Sequence, residues 1–331
     1  MLPLAVSLGD PAGVGPELIV EAWAAKEAEA LPAFFVCGGA SLLTAAGAHV
    51  VPIADPAEAA GAFAHGLPVL AGPDGDYRPG TPDLNGAAIA LASLEAAVSL
   101  ARDHQAAGIV TGPISKALVA AHDTGFVGQT EFCADACWRP REDAVMLLAG
   151  PQLKVVPLTV HCALADVPRL VTYDLILHRC RIVDRAMRDD FGIAAPRIAL
   201  TGLNPHAGEA GRMGHEEIEV IAPAIAQLRA EGIDATGPHP ADTLFAPHLR
   251  PTYDVAIAMY HDQALAPLKA LDFDQGVNMT LGLPIVRTSP DHGTAFGIAG
   301  KGTASAGAVI AAIRMAGEVA TRRQYTQRSS C

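Results

Sequence analysis

Short apolar runs alternate with long segments of helical periodicity along all 331 residues, and this alternation most constrains the fold. Runs rich in apolar and β-branched residues predict strands at 4–8, 33–37, 108–111, 144–148, 153–160, 197–202 and 255–259. Helical patterns predict helices at 15–26, 85–104, 173–191, 215–231 and 304–320. Strands separated by long helices need crossover connections, so we expect an α/β fold with a mixed, largely parallel sheet. The segment 55–78 shows little periodicity and is expected to be a surface connection.

Polar residues come directly after several of these apolar runs. Thr111, His161, His206 and His261 each stand at the end of a predicted strand or just beyond it. In open α/β sheets, ligands bind outside the carboxyl ends of the strands. We therefore expect these polar groups to converge on one crevice.

The three histidines are widely separated along the chain, so no local metal motif is present. A single histidine at a strand end is more often structural than a ligand, whereas three in equivalent positions favour a metal site. Neutral imidazoles with an open position suit zinc or a similar divalent ion, which can act as a Lewis acid on a substrate hydroxyl. Asp262 directly follows His261 and could orient an imidazole or cap a helix.

Two glycine-rich segments could approach a nucleotide. The turn at 9–17 lacks the G-x-G-x-x-G fingerprint of dinucleotide-binding folds, so an ordinary strand-to-helix turn is an equal alternative there. The second segment, 297–302, follows Asp291-His-Gly-Thr-Ala. Lys269 and Arg287 are candidate anion contacts, because Lys acts as a point charge and Arg can bind a carboxylate or phosphate through two N–H groups.

The formal net charge of −12 argues against nucleic acid as a partner, because an acidic chain repels phosphate backbones. A small anionic substrate remains compatible with a locally basic pocket. The N-terminus lacks the basic region of a signal peptide. The apolar stretch 86–101 is interrupted by Ser93 and Glu95 and is expected to be too short to span a membrane. We expect a cytoplasmic protein without a membrane partner.

Several sequence blocks resemble, in order, those of the 4-hydroxythreonine-4-phosphate dehydrogenase family, NAD-dependent enzymes of the vitamin B6 pathway. The similarity runs nearly end to end, and several blocks in the same order are highly specific. The blocks are Gly9-Asp-Pro-Ala-Gly-Val-Gly-Pro-Glu, Thr111-Gly-Pro-Ile-Ser-Lys-Ala, Gly128-Gln-Thr-Glu-Phe, Gly202-Leu-Asn-Pro-His-Ala-Gly-Glu, Pro240-Ala-Asp-Thr-Leu-Phe, Met259-Tyr-His-Asp-Gln and Asn278-Met-Thr-Leu-Gly-Leu-Pro-Ile-Val-Arg-Thr-Ser-Pro-Asp-His-Gly-Thr-Ala.

The resemblance implies a fold like that of isocitrate and isopropylmalate dehydrogenases, with two interleaved α/β domains and a cleft between them. We expect a terminal domain of residues 1–128 and 288–331, which carries the nucleotide loop. A central domain of residues 129–287 would carry the metal and substrate residues and the dimer contacts.

The resemblance also implies which side chains act. A divalent metal (zinc, with magnesium or cobalt as alternatives) would be held by His161, His206 and His261. The last of these serves the partner's site in the family, which implies a homodimer with shared active sites. The substrate contacts would be Gln129, Thr130, Lys269, Asn278 and Arg287. NAD, or NADP, would contact His292, Gly293, Thr294 and Ala295.

By resemblance, the reaction is oxidation of the 3-hydroxyl of 4-phosphohydroxy-L-threonine followed by loss of carbon dioxide. The general base is open between Lys269, Asp262 and a bound water. Gln129 replaces the family's usual histidine, so phosphorylated four-carbon sugar acids (4-phospho-threonate or 4-phospho-erythronate) and cis-dihydrodiol dicarboxylates remain alternative substrates. A three-histidine zinc hydrolase and a catalytically silent metabolite-binding protein are more distant alternatives.

Overall fold

A computed structural model describes residues 2–329 of the chain and the side chains of residues 2–325. The strands of this described part are β1 (Leu4–Ser7), β2 (Phe34–Cys37), β3 (Val50–Ile53), β4 (Leu67–Leu70), β5 (Ile109–Thr111), β6 (Val145–Ala149), β7 (Lys154–Pro157), β8 (Arg197–Thr201), β9 (Asp234–His239), β10 (Val255–Ala258), β11 (Val277–Leu281) and β12 (Arg287–Pro290). The α-helices are α1 (Gly15–Ala24), α2 (Ala40–Ala45), α3 (Ala59–Ala62), α4 (Leu84–Arg102), α5 (Lys116–His122), α6 (Gln129–Ala136), α7 (Val167–Leu170), α8 (Tyr173–Asp189), α9 (Ala222–Ala230), α10 (Ala241–Leu244), α11 (His261–Asp272) and α12 (Gly307–Ser329).

The chain forms two compact units, and it leaves the first unit and returns to it. Unit 1 contains residues 2–144 and Val277–Ser329, and unit 2 contains Val145–Gly276. The predicted domain borders were 128/129 and 287/288, so residues 129–144 and 277–287 fall in unit 1 instead. Hydrogen bonds explain this placement, because Gln129 and Arg287 both bond to Thr111 on β5. Residues 1, 330 and 331 of the predicted terminal domain lie outside the described residues.

The sheet of unit 1 has the strand order β3-β4-β2-β1-β5-β12-β11. Adjacent strands in this sheet run parallel to each other, except that β11 runs antiparallel to β12. In unit 2 the order is β6-β7-β10-β8-β9, with only the β6–β7 pair antiparallel. The predicted α/β class with a mixed, largely parallel sheet is confirmed.

The segment 55–78 was wrongly expected to be only a surface connection. It contains β4, which is mostly buried and pairs with both β2 and β3. Pro52 in β3 and Pro68 in β4 explain why neither strand was predicted, because a proline within a short apolar run argues against a strand with neighbours on both sides.

Helix α4 is long and apolar enough, by length and composition alone, to cross a membrane. The prediction that its apolar stretch is too short was wrong, because the helix extends beyond the stretch on both sides and reaches 19 residues. Its side chains nevertheless pack into the core of unit 1, where Leu94 and Ala97 are fully buried. Asp83 caps its N-terminus by accepting a hydrogen bond from the Gly86 N–H at 2.7 Å. These contacts are those of a core helix.

The parallel strands β7, β10 and β8 are adjacent in unit 2, so their carboxyl ends lie at the same edge of the sheet. His161, His261 and His206 follow these three strands within a few residues. This topology puts the three histidine-bearing segments side by side.

Candidate active site

Arg287 is a buried cation around which predicted substrate residues of unit 1 gather. The residue is only 2% exposed. Its Nη1 donates to Thr280 Oγ1 at 3.1 Å, and its Nη2 donates to Thr111 Oγ1 at 2.8 Å and to Gln129 Oε1 at 3.0 Å. Burial lowers the pKa of Arg287, because a low-dielectric environment disfavours the charged form. All three acceptors are neutral oxygens, so an anion would further stabilise the guanidinium.

Two buried polar atoms beside these bonds have no hydrogen-bond partner in the described structure: Arg287 Nε and Asn278 Oδ1. Asn278 and Thr280 are two residues apart on β11, so both side chains lie on the face from which Thr280 contacts Arg287. Buried polar groups are normally paired. The two orphaned atoms are therefore candidates to bond a polar ligand or a water at this face of the β11–β12 pair.

Gln129 is held in place by bonds at both ends of its amide. Its Nε2 donates to the Gly112 carbonyl at 2.9 Å, while its Oε1 accepts from Arg287 and, at 3.4 Å, from Thr111 Oγ1. Gln129 is a predicted substrate contact, but one of its two N–H groups and its carbonyl are occupied within the protein. Thr130 follows it in the first turn of α6.

The predicted cofactor residues lie in unit 1 against the turn between β1 and α1. The Val14 N–H donates to the Thr294 carbonyl at 2.9 Å, and a Cβ at Gly13 would lie 2.8 Å from that oxygen. Farther along, the Gly300 N–H donates to Glu17 Oε2 at 2.9 Å. The glycine-rich turn thus permits close packing between two backbone segments. His292 Nδ1 lies 3.0 Å from the Gly293 carbonyl, and its Nε2 is buried without a partner in the described structure.

Two of the predicted metal ligands lie close together in unit 2. The ring centroids of His161 and His261 are 5.9 Å apart. Asp262 Oδ1 lies 2.7 Å from His261 Nδ1, and a carboxylate can only accept, so this bond places a proton on Nδ1. The Nε2 lone pair of His261 is then available to a metal, an arrangement common among ligating histidines. Of the two roles open for Asp262, its position fits orientation of an imidazole.

His206 stands in a turn of unusual backbone conformation. His206, Ala207, Gly208, Glu209 and Ala210 all have positive φ, between 42° and 74°. Left-handed backbone costs about 1–2 kcal/mol per non-glycine residue, so four such residues store roughly 4–8 kcal/mol unless the surroundings compensate. Strain of this kind often accompanies functional sites.

Gln263 connects the ends of the strands that precede two of the histidines. Its Oε1 accepts from Thr201 Oγ1 at 2.8 Å and from the Met259 N–H at 2.7 Å. Its Nε2 donates to the Gly202 carbonyl at 2.9 Å. Thr159 Oγ1 in turn donates to the Met259 carbonyl at 2.9 Å. The ends of β7, β10 and β8 are therefore fixed relative to one another by side chains.

The donor chemistry of the three histidine segments suits a divalent metal, but one chain does not close the site. Among the side chains of residues 2–325, no three His, Cys, Asp or Glu groups lie close enough together to hold a metal ion. The pair of His161 and His261 supplies two imidazoles, and His206 follows the neighbouring strand β8. The described part of one chain thus brings two of the three predicted metal ligands together.

A sequence profile of the pyridoxal phosphate biosynthetic protein PdxA matches residues 30–316. The chain belongs to the PdxA family. The 4-hydroxythreonine-4-phosphate dehydrogenase of Erythrobacter litoralis is 60% identical over 329 residues, which cover 97% of each chain. The crystal structure of 4-hydroxythreonine-4-phosphate dehydrogenase from Klebsiella pneumoniae aligns with a TM-score of 0.84 and 36% identity over 96% of this chain and 98% of that one.

A more distant solved structure, a terephthalate 1,2-cis-dihydrodiol dehydrogenase from Burkholderia xenovorans, aligns with a TM-score of 0.65 and 28% identity over 95% of this chain and 97% of that one. PdxA membership confirms the resemblance drawn from the sequence blocks. The related proteins are dehydrogenases, which favours an oxidoreductase over the hydrolase and metabolite-binding alternatives.

The predicted residues of this PdxA chain are thus only partly brought together. Gln129 and Arg287 are in direct contact, and so are His261 and Asp262. Lys269 is on α11, with its Nζ 5.7 Å from the centre of the Phe273 ring. The Arg287 cluster belongs to unit 1 and the histidines belong to unit 2, and the single crevice expected from the sequence stays a prediction.

Sequence reasoning missed four residues that support the PdxA site: Thr280, Gln263, Glu217 and, as a partner of Arg287, Thr111. Thr111 and Gln263 each belong to one of the family blocks, so their positions were visible and their roles were not. Alternation with Asn278 could have identified Thr280 as a residue of the same face. Glu217, whose carboxylate accepts hydrogen bonds from the Asn204 N–H and side-chain amide just before His206, had no local signal in the sequence.

Proposed function

We propose that this PdxA chain oxidises 4-phosphohydroxy-L-threonine at its 3-hydroxyl with NAD, giving 2-amino-3-oxo-4-phosphooxybutanoate, which loses carbon dioxide to form 3-amino-2-oxopropyl phosphate in pyridoxal 5'-phosphate biosynthesis. The observation that carries the proposal is the buried guanidinium of Arg287, which has only neutral hydrogen-bond acceptors and an unpaired Nε. The names of the dehydrogenase relatives support the same substrate.

Arg287 would bind the phosphate through N–H groups that the protein leaves unused. Guanidinium has five N–H groups, and three of them bond to Thr280, Thr111 and Gln129. The remaining two can donate charge-assisted hydrogen bonds to phosphate oxygens. Gln129 would act mainly by holding Arg287, while Thr130 and Asn278 would contribute neutral polar contacts and Lys269 a second positive charge.

His161, His206 and His261 would hold the metal, with zinc preferred and magnesium or cobalt as alternatives. A divalent metal at this position supplies a Lewis acid for the substrate hydroxyl and for the ketone that replaces it. As the family resemblance implies, we propose a homodimer with shared active sites, in which His261 serves the metal site of the partner. Asp262 would keep the His261 ring oriented through the bond at Nδ1.

NAD, with NADP as the alternative, supplies the hydride acceptor and would lie against His292, Gly293, Thr294 and Ala295. During oxidation the C3–H bond breaks with its electron pair going to the nicotinamide, and the hydroxyl proton goes to a base. Lys269, Asp262 and a bound water are the candidates for that base. In the second step the bond from C2 to the carboxylate carbon breaks, carbon dioxide leaves, the electron pair moves towards the C3 ketone, and the resulting enol takes up a proton at C2.

The test is NADH formation from 4-phosphohydroxy-L-threonine by the full chain after chelation and after return of zinc, magnesium or cobalt. We expect activity to disappear on chelation and to return with a divalent ion. Size-exclusion chromatography with light scattering should show a dimer. No NADH from a folded, metal-loaded sample would reject this substrate.

A second substrate class is favoured by one observation. Arg287 can bind a carboxylate as well as a phosphate, and the chain is similar to a terephthalate 1,2-cis-dihydrodiol dehydrogenase. The same assay with cis-dihydrodiol dicarboxylates and with 4-phospho-threonate or 4-phospho-erythronate distinguishes the alternatives. A higher kcat/KM for any of these than for 4-phosphohydroxy-L-threonine would reassign the substrate.

A further inference from the structure

The turn that carries His206 contacts the carboxylates of Glu216 and Glu217, and the buried one of the two is Glu217. This residue is 3% exposed. Its Oε1 accepts a hydrogen bond from the Asn204 N–H at 2.7 Å, and its Oε2 accepts from Asn204 Nδ2 at 3.1 Å. Both bonds fix the residue that precedes the Pro205-His206 step. The backbone entering the left-handed turn is therefore tied to Glu217.

The same carboxylate packs against the turn on both sides of the histidine. A Cβ at Gly202 would lie 3.0 Å from Glu217 Oε1, and a Cβ at Gly208 would lie 2.5 Å from Oε2. Gly202 comes before His206 in the chain and Gly208 comes after it. Only residues without a side chain leave room for the carboxylate at these two points, so the turn and Glu217 are mutually fitted.

Glu217 is itself presented by an irregular helix. Residues Glu217–Ile221 form a π-helical turn that leads into α9. Such wide turns are rare and occur frequently at functional sites. A left-handed run of mainly non-glycine residues is unfavourable in isolation, and the contacts with Glu217 help to stabilise it.

We propose that Glu217 is a positioning residue for the metal centre: it holds the left-handed turn that presents the His206 imidazole to the metal. This inference rests on the proposed metal site. Glu217 is not itself a ligand in this scheme, because its two oxygens already accept bonds from Asn204. Removing groups that orient a ligand typically weakens metal affinity tenfold to a hundredfold.

The test compares Co²⁺ affinity of the full chain in wild type, Glu217→Gln and Glu219→Gln, by competition with a chromophoric chelator. Glutamine keeps the size of Glu217 but presents an NH₂ group where the protein offers a donor. We expect affinity to fall about tenfold to a hundredfold in Glu217→Gln. Glu219, which is exposed on the same π-helical turn, supplies the matched control and should leave affinity unchanged.

A second background separates positioning from general destabilisation. In His206→Ala, Glu217→Gln should cause no further loss of Co²⁺ affinity, because the group it positions is absent. If Glu217→Gln does not fold, Asn204→Ala removes the amide donor that Glu217 shares with Glu216 and should also weaken binding.

Wild-type affinity in the folded Glu217→Gln protein, or an equal loss in the His206→Ala background, would overturn the inference and leave the proposed reaction intact. Wild-type affinity in Asn204→Ala would do the same where Glu217→Gln is unfolded. If the wild-type chain does not bind Co²⁺ at all, the metal centre and this inference both fail.

Discussion

Replacing Arg287 with Met should separate ligand binding from the stability of the ligand-free protein. Methionine approximates the apolar stem and removes the guanidinium. The three bonds that Arg287 makes are each worth about 1.5–3 kcal/mol, as is usual for hydrogen bonds to a charged group. The cost of burying the cation, which is several kcal/mol, opposes the stabilisation that these three bonds give to the folded state.

These two terms are similar in size and opposite in sign. The substitution leaves neutral oxygens behind rather than an uncompensated charge. We therefore expect the free energy of unfolding of the ligand-free protein to change by less than about 3 kcal/mol. Thermal and urea unfolding measure this change.

Affinity for the phosphorylated substrate should respond far more strongly to Arg287→Met than the free energy of unfolding does. Two N–H groups of Arg287 remain for an anion, and at about 1.5–3 kcal/mol each they contribute roughly 3–6 kcal/mol. Since 1.4 kcal/mol is a factor of ten, affinity for the phosphorylated substrate should fall by about a hundredfold to ten-thousandfold. Arg287→Lys, which keeps the charge and loses the planar fork, should fall between wild type and Arg287→Met.

The assays are kcat/KM from NADH formation and direct calorimetric titration with inorganic phosphate, which does not depend on turnover. Near-wild-type values for both in Arg287→Met would refute the assignment of Arg287 as the anion-binding residue. A large loss of stability would instead show that the guanidinium is structural.

Two other substitutions test the surroundings of the site. Gln263→Met removes the two bonds that Gln263 accepts and the one that it donates between the ends of β8 and β10. We expect the free energy of unfolding to fall by about 2–4 kcal/mol, mostly because the buried Met259 N–H is left unpaired. An unchanged urea midpoint would contradict this. Asp10→Asn tests a buried carboxyl that is 1% exposed and accepts from the Ala12 N–H at 3.0 Å. Burial, with a smaller contribution from the charge of Asp83, raises the pKa of Asp10. The folded state therefore binds the carboxyl proton of Asp10 more tightly than the unfolded state, in which the pKa of an aspartic acid is about 3.9. The associated stability is fully present below that pH and is lost as pH rises through the folded pKa. Asp10→Asn keeps the acceptor and should be more stable than wild type at neutral pH, with the difference vanishing in more acidic buffer. An equal difference at both pH values, measured by urea unfolding, would reject the explanation.

The alternation of apolar runs with helical patterns was enough to predict the fold class. Strands β1, β5 and β10 are almost fully buried, so they appear in the sequence as short continuous apolar runs. The strands that escaped prediction contain a proline or carry polar residues. Strands β3 and β4 each contain proline, and β12 consists of Arg-Thr-Ser-Pro.

The polarity of β12 follows from what its side chains do. Arg287 bonds into the site, and Thr288 Oγ1 donates to the Ala312 carbonyl at 2.9 Å. Burial of these groups depends on partners that are distant in the chain, and no local pattern reveals them. For this reason the sequence identified Arg287 as an anion contact but did not show that it is buried or that it begins a strand.

The same distinction explains what could be predicted at the histidine cluster. Histidines at strand ends are visible in the sequence because their chemistry follows from residue type and position. The left-handed turn at His206 is not visible, since glycine signals positive φ at Gly208 while Ala207, Glu209 and Ala210 do not. Their conformation depends on Asn204, Glu216 and Glu217, whose contacts form only when the segment that leads into α9 packs against the turn. The sequence can therefore indicate which residues act as ligands, whereas the residues that position a ligand become evident only in the folded chain. Measuring the effect of Glu217 on metal affinity tests the part of the site that residue type alone could not predict.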